Sequence, residues 1–90
     1  MSRWFFYVVR CKDDSLYAGV TTDISRRIKE HNSKKGGAKY TFPRRPVELI
    51  YSEEHSNRSL AQKEEYRFKQ LSRKEKHITI SERLLKAFNN

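Results

Sequence analysis

The run Trp4-Phe5-Phe6-Tyr7-Val8-Val9 constrains this chain more than any other feature. It is aromatic and β-branched without polar alternation, the pattern of a strand covered on both faces and therefore placed in the middle of a sheet. Lys12-Asp13-Asp14 reads as a turn. Ser15 to Val20 then alternates, with Leu16, Ala18 and Val20 on one side and Tyr17 and Gly19 on the other, so an antiparallel hairpin is predicted. A third strand is expected from Val47 to Ser52, where Val47, Leu49 and Tyr51 alternate with Glu48, Ile50 and Ser52 and one face is better buried.

Helices fill the rest. Thr22 or Asp23 can cap a helix running to about Asn32, and the basic, glycine-containing stretch Ser33 to Gly37 breaks it. A second helix is expected from about Arg58 to Leu71. Ser72 and Glu75 form a capping box that opens a short third helix, and Ser81 is expected to open a last one carrying Leu84, Leu85 and Phe88. Ile78 and Ile80 should dock this end on the core. The expected class is α+β: a three-stranded antiparallel sheet flanked by helices, in one domain over 1–90 with its core at about 3–80 and a helical tail at 81–90.

With 90 residues there is room for one compact core and no second domain. The formal charge of +9 comes from 20 Lys and Arg against 11 Asp and Glu, an imbalance that points to a polyanionic partner. Nucleic acid fits better than a membrane, because no long basic helix carries the Trp, Phe and Leu face needed to lie in a lipid interface. Cys11 is the single cysteine, so an internal disulfide and a thiolate zinc cluster are both excluded. The chain fits a reducing compartment, and a cytoplasmic location is expected. The apolar run at the start is too short for a membrane span and lacks a signal-peptide cleavage site.

On the first helix, a rotation of about 100° per residue puts Ile24 and Ile28 on the core side with Arg27 and His31 beside them. Arg27 presents a rigid fork to phosphate oxygens and His31 can move protons near neutral pH, so the pair suits a phosphate site. The competing reading is an arginine snorkelling over the core and a histidine facing the helix dipole. Tyr7 and Tyr17 sit on adjacent strands, within reach of each other and of Arg27. A phenol titrates near 10, so its use as a base needs a cation or a metal close by. Gly19, inside a strand, marks a place where a ligand or backbone comes close. Lys34, Lys35, Lys39, Arg44 and Arg45 interleave with Tyr40 and Phe42 in the most basic segment of the chain. These cations can neutralise phosphates, and the aromatics can stack on unpaired bases or pack on the sheet. His55 and His77 are read as surface residues.

At these residues the chain resembles the GIY-YIG endonuclease domain family, and within it the small stand-alone bacterial members. Phe5-Phe6-Tyr7 stands at the first triplet, Tyr17-Ala18-Gly19 at the second, and Arg27-Ile28-Lys29-Glu30-His31-Asn32 on the helix that follows. Gly37-Ala38-Lys39-Tyr40-Thr41 and Arg45-Pro46-Val47-Glu48-Leu49 look like the stand-alone subgroup. The first triplet keeps only its tyrosine, and Ala18 replaces the central isoleucine of the second.

The resemblance implies a lone helical glutamate binding one divalent cation, Mg²⁺ or Mn²⁺. The family register, an apolar residue three on and a lysine four on, matches Glu65 with Phe68 and Lys69. The apolar stripe of the helix is centred nearer Glu64, which remains the alternative. A single carboxylate suits an ion that keeps its waters and takes further ligands from substrate phosphate, so it can arrive with the DNA. The implied reaction is phosphodiester hydrolysis: Tyr7 or Tyr17 helps deprotonate water, Arg27 holds the scissile phosphate, His31 assists, and Glu65 holds the metal. Gly19, Lys34, Lys35, Lys39, Tyr40, Arg44, Arg45 and Lys69 are the expected substrate contacts. The expected partner is DNA, single-stranded or branched, cut with structural or weak selectivity and with no small-molecule cofactor. The alternatives are a non-catalytic nucleic-acid-binding module and an interaction module that needs a larger partner.

Overall fold

The computed structural model describes residues 3–88. The elements follow the chain as β1 (Trp4–Arg10), β2 (Leu16–Thr21), α1 (Ile24–Asn32), a single 3₁₀ turn (Phe42–Arg44), β3 (Glu48–His55), α2 (Arg58–Lys69) and α3 (Arg73–Phe88). The sheet order is β2-β1-β3 and both pairings are antiparallel, so the apolar run is the central strand, as its sequence dictates.

β1 buries both faces. Phe6 and Val8 pack with Leu16 and Ala18 of β2 beneath Phe68 of α2 and Ile80 of α3. Tyr7, Val9 and Cys11 pack on the opposite face with Val47, under Ile28 of α1 and Tyr17. The side-chain period of two thus sorts one strand between two cores, and α1 lies on one face of the sheet with α2 and α3 on the other.

The third strand departs from simple alternation. Val8 pairs with Tyr51 and Val9 with Leu49, which leaves Ile50 as the extra residue of a bulge. Ile50 and Tyr51 therefore both pack on the Phe6 cluster, while Leu49 is 41% exposed.

Asp23 caps α1 by accepting from the Arg26 backbone N–H at 3.0 Å, and Asn57 does the same for Leu60 on α2 at 2.9 Å. The Ser72 and Glu75 capping box is formed in both directions. Ser81, however, opens no helix, since α3 runs unbroken through it to Phe88. A serine inside a helix costs only several tenths of a kcal/mol, and anchors on both sides hold the axis straight. Ile80 is buried, and Arg83 donates to Glu64 of α2 at 2.6 Å and to Glu53 of β3 at 3.4 Å. Ile80 docks as expected, whereas Ile78 is 48% exposed. The expectation for the Phe88 side chain and for 89–90 lies outside the described residues. No helix is long and apolar enough to cross a membrane among the described residues.

Candidate active site

Tyr7 faces Gly19 directly across the β1–β2 ladder. A methyl group at Gly19 would sit 2.5 Å from the Tyr7 hydroxyl oxygen and 2.7 Å from its ring carbon, so the close approach expected at this glycine is that of the phenol itself. The ring leans over β2, and its hydroxyl meets His31 Nε2 at 2.7 Å.

His31 is the one fully enclosed residue of α1, deeper than the helix periodicity predicts. Its other nitrogen, Nδ1, lies 2.9 Å from Thr41 Oγ1. Thr41 donates its own proton to the Ala38 carbonyl at 3.1 Å, so its oxygen accepts from His31 Nδ1–H. Nε2 is then unprotonated and accepts from the Tyr7 hydroxyl. Burial, together with the positive charge of Arg27, holds the His31 imidazole down at about 4, so it is neutral at physiological pH. Burial pushes the Tyr7 phenol up to about 12 against the pull of the nearby Arg27 guanidinium.

Thr41 carries no signal in the sequence beyond its place in the subgroup segment. It is fully buried at the end of a loop that is closed locally. Ser33 accepts from the Gly36 N–H at 3.0 Å, Asn32 exchanges two hydrogen bonds with the backbone of Val47, and Gly37 turns with φ +81 against the Cα of His31. The loop is therefore a lid on the histidine and not a free basic tether.

Arg27 is half-buried, bonds Glu30 at 2.9 Å and lies close enough to Tyr7 for its charge to lower the phenol's pKa. Tyr17 presents its ring to the edge of His31 at 5.4 Å and stacks on Tyr40 at 5.8 Å, and Arg44 lies over Tyr40 at 4.0 Å. The two loop arginines are engaged: Arg44 bonds Asp13 and the Tyr40 carbonyl, and Arg45 bonds the Phe42 and Ser33 carbonyls. Lys34, Lys35 and Lys39 are exposed and form no ion pair among the described residues.

The two glutamates on α2 divide cleanly. Glu64 is held by Arg83 in the network that ties α2, α3 and β3 together. Glu65 lies near enough to Tyr7 for its charge to raise the phenol's pKa, and it pairs with Lys69 at 3.2 Å. Lys69 in turn sits 5.6 Å over the Tyr17 ring. Tyr7, Tyr17, Arg27 and His31 thus form one cluster, and Glu65 of α2 borders it through Lys69. His55 is not the plain surface residue its polar neighbours predict, since its Nε2 is buried without a hydrogen-bond partner among the described residues.

A GIY-YIG catalytic domain model matches residues 3–78. The chain therefore belongs to the GIY-YIG family, a class of nuclease domains, and the three-stranded α+β fold is that of its structural relatives. The UPF0213 protein YazA of Bacillus subtilis is 56% identical over 79 residues, covering 88% of this chain and 79% of YazA. A UPF0213 protein of Staphylococcus haemolyticus is 49% identical over 83 residues, 92% of this chain and all of that one. Two solution structures share the fold. One, from E. faecalis, is 45% identical with a TM-score of 0.60 and covers 99% of this chain and 88% of that one. The other, a UPF0213 protein of Bacillus halodurans, is 43% identical with a TM-score of 0.57 and covers 88% of this chain and 83% of that one.

Proposed function

We propose that this protein is a divalent-metal-dependent endonuclease that hydrolyses DNA phosphodiester bonds with structural or weak sequence selectivity. The observation that carries the reading is the Tyr7 phenol fixed by a buried neutral histidine, with the Arg27 guanidinium close enough to act on it. Packing alone gives no reason to bury His31 between Tyr7 and Thr41 and to leave room for the phenol with a glycine.

The residues divide the work. Arg27 holds the scissile phosphate, exchanging Glu30 for a phosphate oxygen. Tyr7 is protonated at neutral pH and its one proton is committed to His31, so its oxygen orients the attacking water by accepting a hydrogen bond and does not serve as the resting base. Tyr17 is less enclosed and, having released its own proton to solvent, takes the proton from water as the phenolate. Thr41 sets the His31 tautomer and His31 sets the Tyr7 hydroxyl, so both are positioning residues.

Among the described residues no three His, Cys, Asp or Glu side chains converge on one point. A lone carboxylate such as that of Glu65 fits an ion such as Mg²⁺ or Mn²⁺, which keeps several waters and needs one or two carboxylates plus substrate phosphate. Glu65 would hold it, since the Glu64 oxygens are turned to Arg83. When bound, such an ion stabilises charge on the leaving oxygen. The Lys69 ammonium on Glu65 supports a second reading, a nucleic-acid-binding module without chemistry, in which that carboxylate stays paired.

Cleavage of single-stranded, duplex and branched DNA, with Mg²⁺ and with chelator, separates the two readings. The nuclease cuts at least one of them, only with metal, and loses at least about 100-fold in rate in Arg27→Ala and Glu65→Gln. Binding of all three without any cutting would leave only the second reading.

A further inference from the structure

A groove leaves the active site along β2. One part of it, about 230 Å³, runs from Tyr17 over an apolar floor of Leu16, Ala18 and Phe68. It continues into a smaller part of about 120 Å³ that shares Leu16, Tyr40 and Lys76 and reaches Arg73. Lys69 and Lys76 rim the first part. The Lys76 ammonium lies 5.9 Å over the Phe68 ring, and Arg73 bonds only a backbone carbonyl. Neither Lys76 nor Arg73 forms an ion pair with an acidic side chain among the described residues. An apolar floor rimmed by cations, of which Lys76 and Arg73 have no acidic partner among the described residues, is complementary to a ligand with flat apolar bodies on an anionic backbone.

We propose that this groove binds an unpaired nucleotide adjoining the scissile phosphate, the base on the floor and the flanking phosphates on Lys76 and Arg73. The placement beside the scissile phosphate rests on the nuclease reading, because Tyr17 belongs to both the cluster and the groove. A duplex hides its base faces in its own stack and leaves the floor unused. The groove therefore selects DNA that is single-stranded next to the cut.

The test measures binding in chelator, where nothing is cut. It compares a mixed-sequence single strand with its blunt duplex, and the wild type with a Lys76→Gln, Arg73→Gln double variant that keeps both alkyl stems. Losing two phosphate contacts should lower the salt slope for the single strand by about 1.4. Single-strand affinity should fall about tenfold and duplex affinity less than about threefold. A single strand carrying 5-iodouracil should photo-crosslink to a peptide containing Tyr17 or Tyr40. An equal loss for both DNAs, or crosslinks confined to residues 24–39, would overturn the proposal. Wild-type protein that shows the single-strand effect yet cuts no DNA refutes the nuclease reading and leaves the groove standing. Metal-dependent cutting that ignores strandedness refutes the groove and leaves the nuclease.

Discussion

The hydroxyl of Tyr7 donates to His31 Nε2 at 2.7 Å across 24 residues of chain, and both groups are sealed from solvent. The bond ties the protonation of one to that of the other, and each titrates far from its ordinary range.

Stability should track these two groups. The unfolded chain protonates residue 31 near pH 6.5, whereas the folded chain resists until about 4. The unfolded state binds the extra proton in that window, so stability falls as the pH drops through it, by about 3 kcal/mol when complete. At the other extreme the unfolded Tyr7 ionises near 10 and the folded one near 12, so stability also falls as the pH rises between them. Urea unfolding from pH 4 to 8 checks the acid limb, which should flatten in His31→Gln.

Thr41→Val removes the hydroxyl that receives His31 Nδ1–H while keeping the side-chain shape. Leaving that donor unsatisfied in a buried site should cost about 1 to 3 kcal/mol. The ring ¹⁵N shifts of His31 should move toward a mixture of tautomers, and cleavage should slow with the metal requirement unchanged.

Gly19→Ala places a methyl 2.5 Å from the Tyr7 oxygen, so the ring must leave its position over β2. Overpacking should lower stability by about 1 to 3 kcal/mol, and the Tyr7 hydroxyl should part from His31. Thermal unfolding gives the stability loss, and the His31 ring shifts report the broken contact.

Tyr17→Phe and Tyr7→Phe should separate the two phenols. The Tyr17 change should leave the melting temperature nearly unaltered and lower the cleavage rate by about 100-fold or more. The Tyr7 change should also destabilise by about 1 to 3 kcal/mol, because His31 Nε2 loses its partner. Comparing the melting curves with the rates of both variants decides the assignment.

Glu64 and Glu65 should differ in kind. Glu64→Gln weakens the Arg83 bridge between α2, α3 and β3, and a loss of about 1 kcal/mol shifts the melting temperature by about 4 to 8 °C in a domain of this size. Its cleavage rate below that temperature should hold. Glu65→Gln should melt like the wild type and fail to cut at any Mg²⁺ concentration that supports the parent.

The order of the sheet was readable in the residues because β1 has no polar face and β2 alternates strictly. The bulge at Ile50 was not, since Val47 to Ser52 reads as one alternating strand with Ile50 on its weaker face, and the break arises from pairing with Val8 and Val9. Ser81 carried a helix-start signal that the buried Ile80 and the Arg83 bridges override. Arg27 and His31 were placed near the core by helix period. The depth of His31 depends on a loop that contacts it ten residues later through Thr41, and loop contacts leave no period to read. Family register alone points to Glu65, because the engagement of Glu64 by Arg83, nineteen residues away, leaves no trace in the sequence.

The central strand is made first and finished late. β1 precedes both of its neighbours, the second of which ends at His55, and the Glu65 carboxylate comes ten residues after that. A nascent chain holding only the first two strands and α1 has the phenols and the arginine but lacks the Thr41 lid and the acid. On the nuclease reading the site is therefore incomplete until the helix that carries Glu65 has been synthesised and released to fold, so translation itself acts as a safety catch.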